Sequence, residues 1–216
     1  MRVKICCIQN LEEAQMAIRY GASAIGLVSA MPSGPGPIPE DRIAEIASRI
    51  PPGVDTFLLT SKQDAASIID QQKRLRTNTL QLVDAVPFQE LRVLRTELPG
   101  IRLVQVIHVR DAASVEEACS VAPLVDALLL DSGNPSLPVK VLGGTGNTHD
   151  WKLSRDIVDR SGKPVFLAGG LKPENVRQAI EQVHPFAVDV CSGLRINGLL
   201  DEKRVELFFR AVNASA

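Results

Sequence analysis

The chain has 216 residues, of which 45% are hydrophobic and only 4% aromatic, enough for one sizeable aliphatic core. Its 24 Lys and Arg against 25 Asp and Glu give a net charge of −1. That excludes a nucleic-acid or anionic-membrane partner held by bulk electrostatics, and leaves room for a small anion bound locally by backbone amides.

Met1 leads directly into the first predicted strand, Val3–Cys7. No apolar stretch of signal-peptide length precedes it and no later run reaches membrane-spanning length, so a cytoplasmic protein without a membrane partner is expected. Cys6, Cys7, Cys119 and Cys191 are then expected as free thiols. The further strands are Ala24–Val28, Asp55–Leu59, Thr79–Val83, Arg102–Ile107, Ala127–Leu130, Val165–Ala168 and Ala187–Val190. Most are near-continuous apolar runs, the pattern of a parallel sheet covered by helices.

Between them lie helix signals. Asn10-x-x-Glu13, Ser61-x-x-Asp64 and Ser114-x-x-Glu117 read as capping boxes, and Pro173 fits the first turn of a helix. Val176, Ala179, Ile180 and Val183 repeat at helical spacing, as do Val205, Phe208, Phe209 and Val212. The stretch Met31–Pro39, with Pro32, Pro35, Pro37, Pro39, Gly34 and Gly36, reads as a long loop after the second strand. Eight strand–helix repeats point to an α/β fold, a single (β/α)8 TIM barrel occupying residues 1–216 as one domain. A doubly wound open sheet competes, because periodicity does not report closure.

Several residues at strand ends could do chemistry. Asp131 closes an apolar strand, where desolvation raises a carboxyl's pKa and suits it to donate a proton; a helix cap or loop ion pair is the plainer alternative. Cys6 ends the first strand, where a small core filler is the commonest fate of a free thiol. Lys4 shares its strand parity and, one layer down, would favour the thiolate. Gly169-Gly170 and Ser192-Gly193 follow adjacent strands at equivalent positions, as phosphate-binding turns of a barrel do. Gly143-Gly144-Thr145-Gly146 lacks the Gly-Lys-Ser/Thr ending of a Walker loop and reads as a third anion-facing turn. His108, His149 and His184 are scattered and read as surface or loop residues, and no metal site is expected.

Together, Val3-Lys4-Ile5-Cys6, Leu129-Leu130-Asp131, Gly143-Gly144-Thr145-Gly146 with Asp150-Trp151, Leu167-Ala168-Gly169-Gly170-Leu171 with Pro173-Glu174-Asn175-Val176, and Val188-Asp189-Val190-x-Ser192-Gly193 resemble the phosphoribosylanthranilate isomerase family. The resemblance runs over essentially the whole chain. It implies a (β/α)8 barrel catalysing an Amadori rearrangement in tryptophan biosynthesis, with no cofactor or metal. Cys6 would be the general base and Asp131 the general acid. Gly144, Gly146, Gly169, Gly170, Ser192 and Gly193 would hold the phosphate of a small-molecule sugar-phosphate substrate. Lys4, Asp189 and Arg195 are expected to contact that substrate, in a monomer or homodimer.

The chain also departs from the family pattern. Cys7 stands where the family has Gly, and Ser33-Gly34-Pro35 lacks the loop Arg. Val83-Asp84 replaces His-Gly, Asn147 replaces Lys, His149 replaces Phe, and Arg195 replaces Glu. Arg195 is a candidate substitute cation for the aromatic carboxylate. Two alternatives stay open: an isomerase acting on another sugar phosphate, and a non-catalytic phosphate-ligand binding protein of the same fold.

Overall fold

A run of strands that are apolar on both faces must be covered on both, and a closed barrel wrapped in helices achieves this. In the computed structural model, which describes residues 1–133, 140, 142 and 148–214, the eight parallel strands close in chain order. They are β1 Arg2–Ile5, β2 Ala24–Val28, β3 Asp55–Thr60, β4 Thr79–Leu82, β5 Arg102–His108, β6 Ala127–Asp131, β7 Val165–Leu167 and β8 Ala187–Val190. The last strand pairs with the first, Lys4 opposite Asp189 and Ile5 opposite Val190. That pairing rules out the open sheet.

Helices α1 Leu11–Arg19, α2 Glu40–Ser48, α3 Ala65–Leu75, α4 Phe88–Glu97, α5 Ala113–Val121, α6 Trp151–Ser161, α7 Val176–Val183 and α8 Glu202–Asn213 alternate with the strands. Strand parity splits the core in two. Ile5, Ile25, Leu58, Leu80, Leu128 and Val188 pack outward against the helices. Cys6, Ala24, Phe57, Val104, Leu129 and Phe166 fill the interior, where the Phe57 and Phe166 rings meet edge-on with centroids 5.5 Å apart. Each buried Val, Leu, Ile or Phe side chain here is worth about 1.5–3 kcal/mol relative to exposure. The helical faces expected at Val176, Ala179, Ile180 and Val183, and at Val205, Phe208, Phe209 and Val212, are buried.

Helix starts divide between agreement and correction. Asn10 caps α1 by accepting the Glu13 amide at 2.9 Å. The second expected box fails because Asp64, not Ser61, is the cap of α3, taking the Ser67 amide at 2.9 Å. Ser114 lies inside α5, its hydroxyl donating back to the His108 carbonyl. Pro173 sits in the turn ahead of α7, which begins at Val176. Between β8 and α8 a short antiparallel hairpin forms from β9 Arg195–Ile196 and β10 Leu199–Leu200. Among the described residues no helix is long and apolar enough to cross a membrane.

Candidate active site

The turns that leave the C-terminal strand ends surround one cavity of about 700 Å³, open solvent space included. Cys6, Gln81, Asp131, Gly169, Asp189 and Ser192 line it. The loop expected after the second strand closes one side, contributing Met31, Ser33, Gly34 and Pro35.

β1 ends at Ile5, two residues earlier than the sequence pattern predicts, and Cys6 just beyond it lines the cavity. Its amide still continues the ladder, donating to the Val190 carbonyl at 2.8 Å. Cys7 then turns into the left-handed region at φ 62°, which costs a non-glycine residue about 1–2 kcal/mol. This is the position where the family pattern has glycine. The adjacent Cys7 side chain lowers the Cys6 thiol below its ordinary value; burial opposes this, and the Lys4 ammonium assists it. The Cys7 thiol itself donates to the Pro35 carbonyl at 3.7 Å. Cys7 itself is pushed well up by its contacts with Cys191 and Cys6 and by burial, so it stays a thiol.

Lys4 lies beneath Cys6, as strand parity requires, and is fully buried. Its ammonium is 2.9 Å from Asp189 and 5.1 Å from the Phe57 ring centroid. Burial disfavours its charge, but the carboxylate of Asp189 and the sulfur of Cys6 outweigh that and raise its pKa. Lys4 does not line the cavity, which corrects the expectation that it touches substrate; Asp189 does line it. Gly26 of β2 leaves space for this stack. A Cβ at that position would lie 2.8 Å from the Cys6 sulfur and 3.1 Å from the Lys4 nitrogen.

Asp131 ends β6, three strands from β1 around the barrel. Burial raises its carboxyl to about 6, against the opposing hydrogen bond from the Ser132 amide at 2.7 Å. Two groups of opposite displacement, a thiol pulled down and a carboxyl pushed up, thus open onto one cavity. That is the pattern expected of an acid–base pair.

The β7 and β8 turns meet beside them. Gly169, Gly170 and Ser192 line the cavity, and their amides find no backbone acceptor among the described residues. Gly193 does not line it. Its role is contact: a Cβ there would stand 2.0 Å from the Leu171 carbonyl oxygen, so only glycine lets the two turns touch. Gly144 and Gly146 lie outside the described residues.

Residues 3–211 match the family described as N-(5'phosphoribosyl)anthranilate (PRA) isomerase. The chain belongs to the phosphoribosylanthranilate isomerase family. The N-(5'-phosphoribosyl)anthranilate isomerase of Methanocella arvoryzae is 37% identical over 193 residues, 89% of this chain and 88% of that one. The structure of phosphoribosylanthranilate isomerase from Thermotoga maritima superposes with a TM-score of 0.84 at 32% identity, covering 99% of each chain. Another phosphoribosylanthranilate isomerase structure, in complex with reduced 1-(o-carboxyphenylamino)-1-deoxyribulose 5-phosphate, superposes with a TM-score of 0.82 at 29% identity, again over 99% of each chain.

The positions that depart from the family pattern fall both on the cavity and away from it, and Asn147 lies outside the described residues. Pro35 and Val83 line the cavity where the loop Arg and the strand-four His are missing. Asp84 pairs with Lys140, whose carbonyl accepts from Ser33. Arg195 is not the substitute cation that the sequence suggests. Its guanidinium is buried against Glu13, 2.8 Å away, and does not line the cavity. His149 bonds Ser154 at 2.7 Å, and burial drops its pKa to about 4. His108 is a buried residue rather than a surface one, held at 3.0 Å from the Val83 carbonyl.

Sequence reasoning passed over three residues. Gly26 sits inside a strand, a position that by itself signals close approach. Gln81 lines the cavity with a buried Oε1 that has no partner among the described residues. Cys191, expected only as a free thiol, lines the cavity; its place directly before the Ser192-Gly193 turn is the one signal for it.

Proposed function

We propose that Cys6 and Asp131 carry the reaction of this phosphoribosylanthranilate isomerase, as general base and general acid. The observation that supports this most is their shared cavity, with displacements of opposite sign on the two groups. The reaction isomerises the aminoaldose N-(5-phosphoribosyl)anthranilate to the 1-deoxyribulose aminoketose. Asp131, protonated, gives its proton to the furanose ring oxygen, and the ring opens to a Schiff base. Cys6, as thiolate, takes the C2 proton, and the electron pair released forms the enolamine. Tautomerisation gives the ketone. Protons are moved and none are consumed, so the steps call for no oxidant or reductant.

The amides of Gly169, Gly170 and Ser192 would hold the phosphate, joined by Gly144 and Gly146, while Gly193 lets the two turns come together. Asp189 borders the substrate from the floor, and Lys4 acts through Cys6 and Asp189 rather than by contact. The free Oε1 of Gln81 is an acceptor for a sugar hydroxyl. Residues 1–216 form one domain in this reading, in a cytoplasmic monomer or homodimer with no nucleic-acid or membrane partner. The test is freshly prepared N-(5-phosphoribosyl)anthranilate, followed by loss of anthranilate fluorescence. Turnover is expected; binding of simple sugar phosphates with no turnover would reassign the site to another substrate or to binding alone.

A further inference from the structure

A buried ion pair stands behind the turn that follows Cys6. The side chains of Arg195 and Glu13 are each 7% exposed. They meet in two parallel bonds, Nη1 to Oε1 at 2.9 Å and Nη2 to Oε2 at 2.8 Å. The carboxylate also accepts the amides of Gln9 and Leu200, each at 3.0 Å. The guanidinium also donates to the carbonyls of Cys7 and Gly198. One node thereby ties the end of β1, the start of α1 and the β9–β10 hairpin.

The contact with Cys7 falls on the one strained residue beside the thiol. The peptide after Cys7 is pinned at both ends: the Ile8 amide donates to the Gly26 carbonyl at 3.0 Å, and Arg195 grips the Cys7 carbonyl. From the loop after β2, Gly36 lies against Cys7, so close that a Cβ on Gly36 would be 2.6 Å from that of Cys7. A left-handed cysteine held from both sides fixes where its neighbour's sulfur points. We propose that the Arg195–Glu13 pair is a positioning device for Cys6, holding the turn that aims the thiol into the cavity. It rests on the reading of Cys6 as the base.

The test compares Arg195→Ala, Arg195→Lys and Glu13→Gln in kcat, KM and the pH dependence of Cys6 alkylation by iodoacetamide. Tandem mass spectrometry separates Cys6 from Cys7. In Arg195→Ala, kcat is expected to fall by roughly tenfold or more while KM stays within about threefold. The midpoint of Cys6 alkylation should move to higher pH. Arg195→Lys, which keeps a donor but loses the fork, should recover part of kcat. Adding Glu13→Gln to Arg195→Ala should cost nothing further, because the two act as a unit. Wild-type kcat with an unmoved alkylation profile in Arg195→Ala overturns the proposal, and so does a loss confined to thermal stability. Should Arg195→Ala not fold, Arg195→Lys and Glu13→Gln are judged by the same two readouts. Full turnover in Cys6→Ala would remove the base assignment alone, while the alkylation profile reports on positioning whatever the turnover.

Discussion

Lys4 stands one layer beneath Cys6 inside the barrel, its ammonium wholly buried and 2.9 Å from Asp189. A buried cation under a thiol favours the thiolate, and a buried carboxylate beside the cation keeps it charged. Lys4→Met leaves the Asp189 carboxylate buried and unpaired, so a stability loss of about 3–5 kcal/mol is expected in urea unfolding. Lys4→Met/Asp189→Leu removes both charges and should be markedly less destabilised than the single variant. A single variant as stable as wild type would show that the pair is not desolvated.

Asp131 couples stability to pH. The unfolded chain ionises this carboxyl near 3.8, whereas burial in the fold raises it to about 6. The protonated form therefore supports the fold below the unfolded value, and that support is lost as pH rises through about 6. Asp131→Asn never ionises. Measured against wild type, its unfolding free energy should gain from about pH 4 to about pH 8, by about 3 kcal/mol at most. A difference that does not change with pH would mean the carboxyl is not raised in the fold.

Gly26→Ala and Gly193→Ala should fail in different ways. The first places a Cβ against the Cys6 sulfur and the Lys4 nitrogen, so the thiol must shift, and kcat is expected to fall by about 10²-fold with the fold kept. The second drives a Cβ into the Leu171 carbonyl, which is backbone and cannot step aside. There, lower thermal stability and a raised KM for the phosphorylated substrate are expected together. Unchanged kcat in Gly26→Ala, or unchanged stability in Gly193→Ala, would show that those contacts relax freely.

Much of this was legible in the sequence. The apolar runs mark all eight strands, and strand parity alone puts Lys4 on the same face as Cys6. Closure was not legible, because the β1–β8 pairing leaves no mark on periodicity. Cap residues misled where two candidates lie close together: Asp64 displaced Ser61, and the Ser114 hydroxyl found the His108 carbonyl instead of a helix end. Arg195 shows the deeper limit. Beside the Ser192-Gly193 turn its charge suggested a ligand contact, but its partner Glu13 lies 182 positions away in sequence and takes it out of the cavity. Cys7 was legible only as a departure from a glycine, and its left-handed backbone explains why glycine belongs there.

The most direct test of the proton-transfer pair is kcat for Cys6→Ala and for Asp131→Asn with N-(5-phosphoribosyl)anthranilate, each beside wild type in one buffer. Each variant is expected to lose about 10²–10⁴-fold with its fold intact by circular dichroism. A folded variant of either kind that turns over within a few fold of wild type would contradict the assignment of that residue.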